Sequence, residues 1–352
     1  MNAAPSASPT VAVIGGGYGG TIAARALDDI ADVVLVEPRD AFVHNIGALR
    51  AVVDPAFAPR IFLPYTRLLA NGRVVRDRAA QVSADRVVLE SADEIRPDFV
   101  VLATGSSYPF PAKSDVDDAE AATAKYRALN AELAAAESVL LLGAGPVGIE
   151  LAGEITSAWP DKRVILADIA DDILAGPYMP ELRAELRRQL AERNVELVLG
   201  AADPAAELDA DVVLRTHGVT PETAYLADDL AAARDADGLL TVTPELRLAG
   251  HDNVFAIGDI AAGHVKKGAT AMRHAPVAAA NIRALITGEG ELGTYDPAPP
   301  AIVVPLGPDG GSGQLPGAEE IASRETASEI KGRHLMVEPV AEGLGLETAQ
   351  AT

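Results

Sequence analysis

Short, unbroken apolar runs, each followed by a glycine cluster and a helical stretch, set the rhythm of this chain. Val11-Ala12-Val13-Ile14 contains no polar position, the pattern of a strand covered on both faces. Glycines follow at 15–17 and 19–20, then a helical pattern around Thr21 to Ile30, then a second apolar run from Val33 to Val36. Strand, glycine loop, helix, strand is a βαβ unit with parallel strands. The order returns later in the chain. Ser138 to Leu142 reads as a strand, Gly143 to Gly148 as a loop, Ile149 to Trp159 as a helix and Val164 to Ala167 as a strand. This repeats a domain type rather than a short solenoid unit.

Between the two copies the pattern predicts an irregular region (Asp40 to Leu69), β structure with turns (Arg73 to Glu90) and a buried strand (Phe99 to Ala103). Proline-rich Tyr108 to Lys113 reads as a crossing linker, and alanine-rich Ala119 to Glu137 as a helix. Beyond the second copy come a charged helix (Pro180 to Arg193), a strand (Val254 to Ile257) and a long helix (Gly268 to Gly288). The sequence from about Ala301, with its glycine-rich turn Pro308 to Gly313, predicts a small extra lobe, and Met1 to Pro9 a frayed tail. The fold class is therefore α/β, with two Rossmann-like dinucleotide-binding domains and a small C-terminal α+β lobe. The expected division is 9–108 with 246–300, then 113–245, then 301–352.

Composition narrows the function. The 352 residues carry 51 acidic and 29 basic side chains, so the net charge is 29 − 51 = −22. Such a surface repels nucleic-acid phosphates and anionic membranes. With no cysteine, disulfides, thiolate metal sites and thiol catalysis are excluded, and no metal is expected. The uncharged start up to Ala24 lacks the basic flank and continuous apolar run of a signal peptide, so a cytoplasmic protein without stable membrane insertion is expected. Oligomeric state is left open between monomer and homodimer.

The chemistry lies in the loops. Gly15-Gly16-Gly17-Tyr18-Gly19-Gly20 places Gly15, Gly17 and Gly20 at the three positions of G-x-G-x-x-G, between a strand and a helix. A pyrophosphate can approach such a backbone and meet the free N–H groups and dipole of the helix N-terminus. Glu37, at the end of the next strand, can accept both ribose hydroxyls. In the second loop Gly143, Gly145 and Gly148 hold the same positions, and Asp168 ends the following strand. An acid there favours NAD(H) over the 2′-phosphate of NADP. Two dinucleotide sites in a chain without redox side chains imply electron transfer between bound cofactors. If one is NADH, a flavin is the usual hydride acceptor.

These motifs, with Phe42-Val43-His44-Asn45 to Arg50, Leu102 to Ser106, Pro109 to Lys113, Leu151 to Ile155, Thr216-His217-Gly218, Asn253 to Asp259 and Asp309 to Gln314, resemble the two-dinucleotide-binding flavoproteins of the pyridine nucleotide–disulfide oxidoreductase fold. Within that fold they are most similar to the apoptosis-inducing-factor-like, ferroptosis-suppressor group of NAD(P)H–quinone reductases. The likeness runs from about Thr10 to about Leu315. It implies FAD at the first loop, with Arg50 near the pyrophosphate and the Val82 backbone at the adenine. Thr104-Gly105 is then the second flavin signature, and Gly258-Asp259 holds the ribityl or phosphate region. NAD(H) would occupy the second loop and Gly218. Glu150 would lie near the stacked rings, Lys113 could reach the flavin, and His274 or His44 could supply a proton.

The cysteine pair of the disulfide branch is missing, so disulfide reduction is excluded. The helix after Asp259 carries Met272-Arg273-His274 where related dehydrogenases have quinone-site glutamines. The expected reaction is hydride transfer from NADH to FAD N5, then two-electron reduction of a small acceptor, with a quinone favoured. A carrier protein, a pathway metabolite or an NADH-responsive sensing role are the alternatives.

Overall fold

The structure is a computed structural model and describes residues 8–200 and 202–348. The expected tail at residues 1–7 and the last four residues of the acidic C-terminus lie outside the described residues.

Among the described residues the first sheet has five parallel strands, in the order Val254–Ala256, Phe99–Leu102, Thr10–Ile14, Asp32–Val36, Arg73–Val75. Thr10–Ile14 lies between its successor Asp32–Val36 and the later Phe99–Leu102. The strand order therefore reverses at its end, where open α/β sheets place their ligand crevice. The second sheet repeats this. Ser138–Leu142 is flanked by Arg163–Asp168, beyond which Glu196–Leu199 forms one edge, and by Val212–Arg215 on its other side. Both predicted βαβ units thus exist, and each puts its glycine loop at a switch point.

Side chains alternate across a strand, so each apolar run feeds two cores. Val11 and Val13 pack with the helices Tyr18–Leu27 and Gly268–Thr287, which lie against each other on one face. Ala12 and Ile14 pack on the other face with Val82, Val87 and Leu89 of an antiparallel meander. In the second sheet Val139 and Leu141 face the helices Ala119–Ala135, Pro146–Ala158 and Pro180–Glu192. Full burial of one such aliphatic side chain contributes about 1.5–3 kcal/mol, which is why the runs tolerate no polar residue.

Two expectations are corrected. The region Asp40 to Leu69 is not irregular. It contains the helix Ala48–Val53 and a short hairpin, Ala41–Val43 with Phe62–Pro64. The second unit does not extend to 245, because Leu226, Leu230 and Leu240 are buried in the core of the first. The chain crosses back at Thr220–Pro221, which pairs with the outgoing Ser106–Ser107. The small C-terminal lobe packs on both units. Val304, Leu306, Leu335 and Val337 are buried with the second unit, and Val340, Ala341 and Leu344 with the first. Its hairpin, Ile302–Pro305 with Gly311–Gln314, approaches so closely that a Cβ on Gly153 would lie 2.4 Å from the Leu306 backbone.

Candidate functional site

Both glycine loops are built for close approach. Gly15 and Gly143 take positive φ, +101° and +117°, to turn from strand into helix. A Cβ on Gly20 or on Gly148 would sit 1.9 Å from the carbonyl oxygen of Gly15 or Gly143. Gly17 and Gly145 are different, since a Cβ there would meet nothing within 4 Å. Each caps a helix that has no side-chain cap and no acid in its first turn. The helix N-termini thus present unpaired N–H groups to open space, which fits a pyrophosphate at each loop.

The strand-end carboxylates occupy matching places. Gly16 N–H donates to Glu37 Oε2 (2.7 Å) and Ala144 N–H donates to Asp168 Oδ2 (2.6 Å). Glu37 Oε1 also accepts from the Arg39 backbone N–H (3.0 Å) and guanidinium (3.3 Å). No motif in the sequence pointed to Arg39. Its Nε is buried without a partner among the described residues, beside Glu37.

A second cluster forms where the chain crosses between units. Lys113 Nζ donates to the Ser106 carbonyl (2.6 Å) and to Ser106 Oγ (2.9 Å), while Ser106 Oγ–H donates to Asp259 Oδ2 (2.6 Å). Burial lowers the Lys113 pKa, with Asp259 opposing the shift. Thr104 Oγ–H donates to the Glu222 carbonyl (2.6 Å), and the Gly105 carbonyl accepts from Glu222 N–H (3.0 Å). The structure therefore brings together Thr104, Gly105, Lys113 and Asp259. Gly218, at positive φ, borders open space beside the second loop, where a Cβ would meet only Pro109 within 4 Å.

A third cluster joins the units to the C-terminal segment. Lys331 Nζ donates to Glu150 Oε1 (2.7 Å). Burial raises the Glu150 pKa and Lys331 opposes the rise. No sequence motif marks Lys331, which stands 181 positions from its partner.

Four of the expected site residues are engaged by other parts of the chain. Arg50 is bonded to Glu154 of the helix Pro146–Ala158 through Nε and Nη2, the latter at 2.9 Å, and its Nη2 also donates to the Gly332 carbonyl (2.9 Å). It forms an ion pair between the two units. Val82 N–H donates to the Tyr225 carbonyl (3.0 Å), and its carbonyl accepts from Ala227 N–H (2.8 Å). The returning segment has taken the backbone groups expected to read an adenine. His274 is fully buried, with Nδ1 accepting from Gly258 N–H (3.1 Å), so it supports the Gly258-Asp259 turn from the core side. Burial lowers its pKa to about 4, which makes it a poor proton donor. His44 is likewise buried. Its Nε2–H donates to the Leu335 carbonyl (2.7 Å) and its Nδ1 faces the Tyr18 hydroxyl (3.2 Å), so neither nitrogen is available. Tyr18 packs edge-on against Phe42 (5.0 Å between ring centroids).

No helix among the described residues is long and apolar enough to cross a membrane, and no cluster among them could hold a metal. Comparison with known proteins agrees with the two-loop geometry. A family model described as "Pyridine nucleotide-disulphide oxidoreductase" matches residues 9–281. "Ferroptosis suppressor protein 1" of Taeniopygia guttata is 32% identical over 337 residues, covering 88% of this chain and 89% of that protein. "Apoptosis-inducing factor homolog B" of Dictyostelium discoideum is 27% identical, over 93% and 95% of the two chains. Among solved structures, the sulfide:quinone oxidoreductase of Aquifex aeolicus shares the fold, with a TM-score of 0.71 at 18% identity over 97% of each chain.

Proposed function

The chain belongs to the pyridine nucleotide-disulphide oxidoreductase family, and from that premise we propose that it passes two electrons from NADH, through FAD, to a small quinone-like acceptor. The enzyme class follows from the family: an FAD-dependent NAD(P)H oxidoreductase. One observation carries the rest of the reading. Two open helix N-termini, each paired with a strand-end carboxylate, occur in a chain with no cysteine. Electrons would then pass between bound dinucleotides and leave without a disulfide of this chain, which favours an external acceptor. The quinone preference rests on the likeness to the ferroptosis-suppressor group.

FAD supplies the redox couple when bound, and the protein's own residues supply position and protons. Gly17 N–H and its helix hold the FAD pyrophosphate, with Glu37 at the ribose. Gly145 and Asp168 do the same for NADH, and Asp168 disfavours a 2′-phosphate. Lys113 and Asp259 place a cation and an anion at the crossing between the units. Quinol formation needs protons as well as electrons. The buried pair in which Lys331 Nζ donates to Glu150 Oε1 would be a source of one of them, the proton leaving the pair for the acceptor and being replaced from solvent.

The test is an anaerobic titration of the FAD-loaded protein with NADH, followed by a short-chain quinone, with flavin absorbance as the readout. Bleaching by NADH and rapid recovery with quinone are expected. Bleaching without recovery moves the acceptor to a carrier protein, a metabolite or a sensing role. Failure to take up FAD overturns the reading.

A further inference from the structure

We propose that Ser106 is the positioning residue of the flavin site, the single side chain that sets where the Lys113 ammonium and the Asp259 carboxylate stand. The inference rests on the functional reading above and adds a role for a residue outside its glycine and carboxylate machinery.

The geometry is specific. Lys113 Nζ and Asp259 Oδ2 lie 3.6 Å apart, beyond a hydrogen bond. Ser106 Oγ fills the gap, accepting from Nζ at 2.9 Å and donating to Oδ2 at 2.6 Å. A hydroxyl is the group that can do both, because it carries one donor and two lone pairs. The Ser106 carbonyl takes a second ammonium proton at 2.6 Å. That carbonyl is free because Ser106 and Pro221 form a non-hydrogen-bonded pair of the antiparallel ladder, the neighbouring Gly105 carbonyl being the one that accepts from Glu222 N–H. Ser106 is itself buried, on the strand where the chain leaves the first unit, so its position is set by both units at once. Asp259 follows Gly258, whose N–H is held by His274 from the opposite side. The turn is thus fixed at its backbone by His274 and at its carboxylate by Ser106. Removing the hydroxyl leaves the ammonium one acceptor short and the carboxylate without its donor. Both charges are then free to reorient.

The test compares S106A, S106T and the parent in FAD affinity and in the pH dependence of the bound flavin's midpoint potential. Hydrogen bonds to charged groups are strong enough that S106A should hold FAD roughly tenfold or more weakly. Its potential–pH curve should have the Lys113 inflexion moved to lower pH, since the ammonium has lost an acceptor. S106T keeps the hydroxyl and should restore both. The proposal is overturned if S106A holds FAD within about twofold of the parent with an unchanged curve, or if S106T is as impaired as S106A. Should S106A fail to fold, S106C, which keeps the side-chain volume but only a weak donor, is read by the same criteria. A parent that neither takes up FAD nor bleaches with NADH counts against the functional reading. An active parent with S106A indistinguishable from it counts against Ser106 alone.

Discussion

Replacing Arg50 by Met separates a structural ion pair from a cofactor ligand. The guanidinium spans two units and the C-terminal segment, bonding Glu154 twice and the Gly332 carbonyl once. Its side chain is 12% exposed and that of Glu154 is 3% exposed, so removing Arg50 strands a carboxylate away from water. Breaking a buried pair from one side costs about 3–5 kcal/mol, and the lost bond to Gly332 adds about 1 kcal/mol. R50M should therefore weaken the apoprotein by about 4–6 kcal/mol in urea unfolding followed by far-UV circular dichroism. In R50M/E154Q neither position keeps an unpaired buried charge, so most of that loss should be recovered.

The pH dependence follows from Glu154. Burial already raises its pKa, and Arg50 is the main group holding it down. Without Arg50 the folded-state pKa lies further above the unfolded value, so folding takes up a proton as pH falls. The R50M deficit should be smaller at mildly acidic pH than at mildly alkaline pH. An R50M apoprotein as stable as the parent, but unable to bind FAD, would refute this reasoning and return Arg50 to the cofactor.

Three further outcomes are expected. Gly17→Ala, at a φ of −75° with open space around it, should leave apoprotein stability within about 1 kcal/mol yet reduce FAD uptake at least tenfold, while Gly20→Ala should not fold stably; melting curves with and without FAD check both. D168S should lower kcat/KM for NADH and shift the NADH-to-NADPH ratio by roughly tenfold toward NADPH, and an unchanged ratio would remove Asp168 from ribose recognition. His274 titrates at about 4 when folded against 6.5 unfolded, so the unfolded chain binds the extra proton between those values and stability should fall as pH drops through that window. If His274 is the source, the gap between the urea midpoints of the parent and H274N should change across that window and stay constant above it.

The sequence by itself determined the two βαβ units, their glycine loops and the acids at their strand ends. These features are local. A strand, a turn that excludes Cβ, a helix and a second strand lie within about 30 residues, and each leaves a compositional trace. Gly20 and Gly148 are glycine because no other residue clears the carbonyl beneath them, and Glu37 and Asp168 end strands whose apolar pattern is unmistakable. Only the tertiary structure decided what Arg50, Val82, His274 and Lys331 do. Arg50 meets Glu154 across 104 positions, Lys331 meets Glu150 across 181, and His44 meets Leu335 across 291. Charge and hydrogen-bonding capacity can be read from a side chain's identity, but its partner is fixed by how the units and the C-terminal segment pack. A short helix such as Ala48–Val53, held by apolar contacts to another unit, leaves too few turns to show a period.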